Sequence, residues 1–162
     1  MIRFCTMSNS DYAAFLDYFL PDYAQEIASN YARSDDEARR QAQAEIAHSL
    51  PDGPQTEGHR LCTIVESAPQ PTCIGYIWYR PDAKTKSVFI YDFCILPDHR
   101  GNGRGKAALQ ALEIELAHQG YGEIRLRVAA DNPRAQHIYQ AGGFRVTGMN
   151  MAKRINSGSN NT

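Results

Sequence analysis

The sequence predicts an α/β fold built on one mixed sheet, and three observations carry the prediction. Strand-like and helix-like patterns run through the 162 residues in the order β-α-α-(α)-β-β-β-α-β-α-β-β. Ser87 to Leu96 is apolar on both alternating faces, as a central, covered strand would be. A glycine-rich turn, Arg100-Gly101-Asn102-Gly103-Arg104-Gly105, joins that strand to an amphipathic helix. One domain is expected over 1–154, with a polar tail at 155–162.

Ile2 to Thr6 reads as a first strand. Ser8 with Asp11 forms a capping-box pattern, and Tyr12, Phe15, Leu16 and Phe19 follow at helical spacing. Pro21 is expected to end that helix near Tyr18 and to open a second one carrying Tyr23, Ile27 and Tyr31. Ser34 and Glu37 form another capping box, ahead of a thin apolar stripe at Ala38, Ala42, Ile46 and Leu50. Leu61 to Glu66 and Cys73 to Tyr79 read as a hairpin. Pro81 to Lys84 turns the chain into the strand at Ser87. Simple alternation puts Val88, Ile90, Asp92, Cys94 and Leu96 on one face, and Phe89, Tyr91, Phe93 and Ile95 on the other.

The helix after the glycine turn buries Leu109, Leu112 and Leu116 and stops at Gly120. Glu123 to Ala129 reads as a strand. Asn132 caps a short helix with Pro133 at its first position. That helix ends at Gly142-Gly143, and Phe144 to Thr147 and Asn150 to Arg154 read as two closing strands.

Seventeen basic and eighteen acidic residues leave a net charge of −1, which argues against a nucleic-acid partner. No apolar run is long enough to span a bilayer, so a cytoplasmic protein without a membrane partner is expected. Cys5, Cys62, Cys73 and Cys94 are widely spaced in apolar segments. They read as buried thiols, and no metal-ligand spacing is present.

Alternate glycines at 101, 103 and 105 let the backbone curl and aim its amides at an anion near a helix N-terminus. Arg100, Arg104 and Lys106 add positive charge, so a phosphate or pyrophosphate is the natural guest. A nucleotide P-loop does not fit, because Ala107 stands where a hydroxyl should follow Lys106. The GxGxG spacing also departs from the dinucleotide fingerprint.

Arg100, Gly103 and Gly105 resemble the acyl-CoA motif Q/R-x-x-G-x-G/A of the GNAT N-acetyltransferases. Asn132, Ala135, Tyr139, Gly142, Gly143 and Phe144 resemble that family's second cofactor-side signature. The resemblance covers about residues 1–154 and implies a mostly antiparallel, splayed central sheet flanked by helices. It implies acetyl-CoA as acyl donor, with its pyrophosphate on the amides of Arg100, Gly101, Asn102, Gly103, Arg104, Gly105 and Lys106. Its pantetheine arm would lie along Cys94, Ile95 and Leu96, near Asn132 and Ala135, in a gap between that strand and Val128 to Ala130.

A resemblance of this kind implies direct transfer to the primary amine of a small molecule or peptide. Tyr139 is then the candidate proton donor to the leaving sulfur, and a main-chain amide near Ile95 the donor to the carbonyl oxygen. Asp92 is either the proton acceptor or a structural hydrogen-bond partner. Asp22, Tyr23, Glu26, Tyr31 and His59 are further cleft candidates, and an acidic early helical segment would favour a cationic amine. The remaining alternatives are an acyl-cysteine route through Cys94, transfer to a protein N-terminus or lysine, a non-catalytic acyl-CoA sensor, and a structural or interaction protein on the same fold; a homodimer is a further expectation.

Overall fold

The computed structural model describes residues 1–155. β1 (Ile2–Thr6) leads into two helices, α1 (Asn9–Tyr31) and α2 (Asp35–Ser49). The hairpin strands β2 (Arg60–Glu66), β3 (Thr72–Asp82) and β4 (Ser87–Ile95) follow, then α3 (Arg104–His118), β5 (Glu123–Leu126) and α4 (Pro133–Ala141). The sheet order is β1-β2-β3-β4-β5. The first three pairings are antiparallel and β4–β5 is parallel. The expected mixed, mostly antiparallel sheet is therefore present.

Helices cover both faces, each through its own core. On one face Leu109, Leu112 and Leu116 of α3 pack against Ile64, Ile77, Val88 and Ile90. On the other, Phe15 and Phe19 of α1 meet Leu61, Tyr76 and Trp78. α2 reaches the sheet face through Ile46, but its Ala38 and Ala42 pack against Ile27 of α1.

Both capping boxes form. The Ser8 hydroxyl accepts from the Asp11 amide at 3.1 Å, and the Asp11 carboxylate accepts from the Ser8 amide at 2.8 Å. Ser34 and Glu37 repeat the exchange at 3.2 and 3.3 Å. Pro21, however, does not divide α1, which runs unbroken through it. A proline inside a helix costs about 3 kcal/mol. The apolar side chains buried on either side offset that cost, Phe15 and Phe19 anchoring the first half to the sheet and Ile27 anchoring the second to α2.

Three further expectations are corrected. β3 runs on through Pro81 to Asp82, so the turn into β4 begins later than expected. β5 stops at Leu126 rather than Ala129. Residues 144–155 form no strand, because no neighbouring strand offers them a ladder and Val146, Met149, Met151 and Ile155 remain largely exposed. The tail expected at 155–162 lies, apart from Ile155, outside the described residues. Of the cysteines, Cys62 and Cys94 are buried and Cys73 half-buried, whereas Cys5 is exposed on the edge strand β1.

Simple alternation along β4 also fails. Trp78 pairs with Asp92 while Tyr79 pairs with Ile90, leaving Tyr91 as an extra residue in a β-bulge. The bulge reverses the phase. Val88 and Ile90 face α3 and so do Phe93 and Ile95, whereas Tyr91 stacks on Trp78 on the α1 side. Asp92 is thereby carried to the α1 side with Cys94.

Beyond the bulge β4 is held tightly to β3. A Cβ placed on Gly75 would lie 2.0 Å from the Cys94 carbonyl oxygen. Gly75→Ala should therefore destabilise the fold by about 1–3 kcal/mol or more, read as a lower denaturation midpoint. An unchanged midpoint would show that β3 and β4 can separate freely here.

Candidate active site

β4 and β5 pair from Ser87↔Glu123 to Ile90↔Leu126 and no further. From Tyr91 onward β4 therefore has a ladder on the β3 side only. Orientation of the next peptides follows from two observations. The Cys94 carbonyl faces Gly75, and the Leu96 amide donates to the Ile74 carbonyl at 2.8 Å. A trans peptide points its C=O and N–H in opposite directions. The Ile95 amide and Ile95 carbonyl therefore both face the open side. Arg100 Nε occupies that carbonyl at 2.8 Å, and the amide is left for another acceptor.

After a single 3-10 turn at Pro97–His99, Gly101, Asn102 and Gly103 adopt φ values of +86°, +54° and +71°. Consecutive left-handed residues curl the chain so that its amides converge. Among the described residues, the amides of Gly101, Asn102, Gly103, Gly105 and Lys106 have no carbonyl or side-chain acceptor. Nothing lies within 4 Å of where a Cβ on Gly101 or Gly103 would stand. The turn thus presents a concave set of free donors at the N-terminus of α3. Arg104 is drawn away from it by an ion pair with Glu66 at 3.1 Å, while Lys106 stays exposed.

Across the open side, Asn132 caps α4, its Oδ1 accepting from the Ala135 amide at 3.1 Å. Ala135 is half-buried in the first turn of α4. Tyr139, one turn on, packs edge-on against Phe144 at 5.5 Å and beside Phe93 at 6.4 Å between centroids. Burial, then the charges of Asp92 and Cys94, push its phenol well above the ordinary range. The hydroxyl is thus held protonated within electrostatic reach of both.

Asp92 is the most perturbed acid. Its Oδ2 is enclosed and, among the described residues, has no hydrogen-bond partner. Burial, then repulsion from Asp22 and Glu26 on α1, push its carboxyl up to about 8, with a Tyr18 hydroxyl interaction opposing. The Cys94 thiol is also pushed up, chiefly by burial, which works against a thiolate nucleophile.

A protein-family model described as the acetyltransferase (GNAT) family matches residues 14–144. The chain belongs to that family. This GNAT chain is 27% identical over 156 residues to the uncharacterized N-acetyltransferase YycN of Bacillus subtilis, covering 95% of the chain and 99% of that protein. The crystal structure of YycN superposes with a TM-score of 0.87 at 26% identity, over 97% of this chain and all of that one. The fold is also that of the spermidine N-acetyltransferase from Vibrio cholerae solved with CoA and spermine. There the TM-score is 0.62 at 19% identity, over 91% of this chain and 82% of that one. The sheet and its flanking helices are thus those of a GNAT acetyltransferase.

Around one gap this GNAT fold gathers Asp92, Cys94, Ile95, the 100–106 turn and Tyr139. Leu96 is half-buried, turned toward the α1-side core, and reaches the gap only through its main chain. Asp22 and Glu26, cleft candidates from the sequence, face Asp92 from α1. Tyr23 is directed instead to Glu45 of α2 by a short hydrogen bond. Tyr31 and Glu26 both engage Arg127, the latter at 2.9 Å, tying α1 to the segment beyond β5. His59 accepts from Trp78 Nε1 at 2.9 Å, and Trp78 is the β3 partner of Asp92.

Sequence reasoning placed Tyr18 among tyrosines that line a cleft or pack on the sheet, and it missed Arg127 and Gly75. A glycine inside a strand pattern signals close backbone approach, so Gly75 was discoverable. Arg127 had no local signal, because its partners Glu26 and Tyr31 are far away in the chain.

Burial of Asp92 has a consequence for stability. A carboxyl whose folded pKa is raised contributes stability below its unfolded value near 3.9, which is lost as pH rises through about 8. Asp92→Asn stays neutral throughout. Its thermal midpoint should gain on the wild type between pH 5 and pH 8.5. A difference that does not vary with pH would mean Asp92 ionises in an ordinary, solvated setting.

Proposed function

We propose that the protein is an N-acetyltransferase that moves the acetyl group of acetyl-CoA directly onto a primary amine of a small molecule or peptide. The observation that carries this reading is the loss of β4–β5 pairing beyond Ile90 and Leu126, beside a turn with five amides unengaged among the described residues. An elongated ligand with an anionic head suits both features: its phosphates fit the turn, and an amide-bearing arm fits the free edge of β4. When bound, acetyl-CoA supplies an acetyl thioester and leaves as the free thiol.

The remaining chemistry belongs to the chain. The amides of Gly101, Asn102, Gly103, Gly105 and Lys106 hold the pyrophosphate, and Lys106 adds charge. The Ile95 N–H, facing the open side, orients the arm or polarises the acetyl carbonyl. Asn132 shapes the opposite wall through its cap on α4. Asp92, once ionised, accepts the proton that the amine nitrogen loses as the N–C bond forms. Tyr139 O–H donates its proton to the sulfur as the C–S bond breaks. Water then returns a proton from Asp92 to Tyr139, so the pair is restored.

The charges suit those roles. Tyr139 keeps its proton across the working pH range, as a donor must, and Asp92 titrates close enough to neutrality to act as a base. Cys94 remains a protonated thiol and takes no acyl group.

The deciding experiment is release of free CoA from acetyl-CoA across a panel of primary amines. Turnover with at least one of them is the expected result; binding of acetyl-CoA without any turnover would leave a sensor in place of an enzyme. Tyr139→Phe should lower kcat by about 10²–10⁴-fold while calorimetry shows CoA affinity nearly kept. Equal kcat would remove Tyr139 from the proton path. Gly103→Val should weaken CoA binding without unfolding the protein, because a β-branched residue at φ +71° strains the turn. Native affinity in that variant would place the phosphates elsewhere.

A further inference from the structure

The sheet face that α1 covers is not covered evenly. On β4, Phe89 and Tyr91 are 38% and 43% exposed, although this strand lies inside the sheet. They form an ordered shelf. Tyr91 stacks on Trp78 with centroids 4.7 Å apart and planes 16° from parallel. Phe89 meets Tyr91 edge-on at 4.9 Å. His59 supports the shelf from beneath, receiving the Trp78 N–H and lying 5.6 Å from the Tyr91 ring. Bulge geometry makes this possible, since it keeps Tyr91 and Asp92, neighbours in sequence, on the same side of the sheet.

Direction of approach then assigns the shelf a task, and this step rests on the acetyltransfer reading above. The anion seat follows the C-terminal end of β4, so the donor arm runs back along Leu96, Ile95 and Cys94 toward Asp92. The acceptor must reach Asp92 from the other end, across Tyr91 and Phe89. Asp22 of α1 lies close enough to Asp92 for its charge to act on it, and among the described residues it makes no ion pair. Glu26 is already engaged by Arg127 at 2.9 Å. The enclosed, unpartnered Asp92 Oδ2 marks the point to which the reacting nitrogen is drawn. An aromatic face beside an unpaired carboxylate is a setting for a second cation, held by the ring quadrupole and by charge.

We infer that the Phe89–Tyr91 shelf, together with the Asp22 carboxylate near Asp92, is the acceptor subsite and that it takes the distal ammonium of a linear diamine. A monoamine of the same length leaves that subsite unfilled.

The test compares 1,5-diaminopentane with pentylamine as acceptors. Wild type should prefer the diamine by about tenfold or more in kcat/KM, mostly through KM. Tyr91→Leu should remove most of that preference, Tyr91→Phe should restore it, and Asp22→Asn should reduce it. Equal use of the two amines by the wild type, or an undiminished preference in Tyr91→Leu, would overturn the subsite. If neither amine is acetylated, calorimetry of 1,5-diaminopentane against the CoA-saturated protein decides. Binding that Tyr91→Leu weakens keeps the subsite, while the amine panel above decides the transferase reading, and no binding removes the subsite itself.

Discussion

β4 cannot satisfy two neighbours along its whole length. It is clamped to β3 through the close approach at Gly75 and Cys94, and it is bulged at Tyr91. β5, running parallel on its other side, follows only as far as Ile90. A bulge increases local twist and bends its strand, so the two edges part beyond it. Backbone donors and acceptors in a sheet interior are normally paired. Here the strand keeps an unpaired edge inside a covered fold, and that edge is useful only to a ligand that can supply the missing hydrogen bonds.

The same bulge organises the electrostatics. By reversing the side-chain phase it places Asp92 on the α1 side, where Asp22 and Glu26 already carry negative charge. Desolvation and like charge act together on a carboxyl without a cationic partner. The fold tolerates this because the acid can hold a proton. Burial, and then the charge of Asp92, raise the Tyr139 phenol as well. A structural acid at this position would ordinarily be paired or hydrogen-bonded at both oxygens, and Oδ2 is not.

α1 joins these parts. It continues through Pro21 for 23 residues, and its length lets one helix serve three purposes. Its early aromatic residues fill the core under Tyr76 and Trp78. Its middle presents Tyr18 and Asp22 to Asp92. Its end reaches across to Arg127 and Asp131, with Ser29 donating to Asp131 at 2.6 Å. Those contacts brace the segment after β5, which has lost its ladder with β4. Two half-helices, as the proline suggests on local grounds, could turn independently and would not hold both walls in register.

What the chain order alone determined was local. Both capping boxes, the Asn132 cap, the buried stripe of α3 and the left-handed glycine turn depend on residues within a few positions of one another, where side-chain reach and backbone φ are decided. The motif at Arg100 to Gly105 and that from Asn132 to Phe144 were legible for the same reason. Tertiary structure decided the rest. Packing on both sides carried α1 through Pro21, and the absence of a neighbouring strand left 144–155 without a ladder. Pairing with β3 inserted Tyr91 as a bulge, which no pattern of alternation along β4 could reveal. The surroundings of Asp92 belong to that second class, because burial and the field of Asp22 and Glu26 come from segments some seventy residues away in the chain.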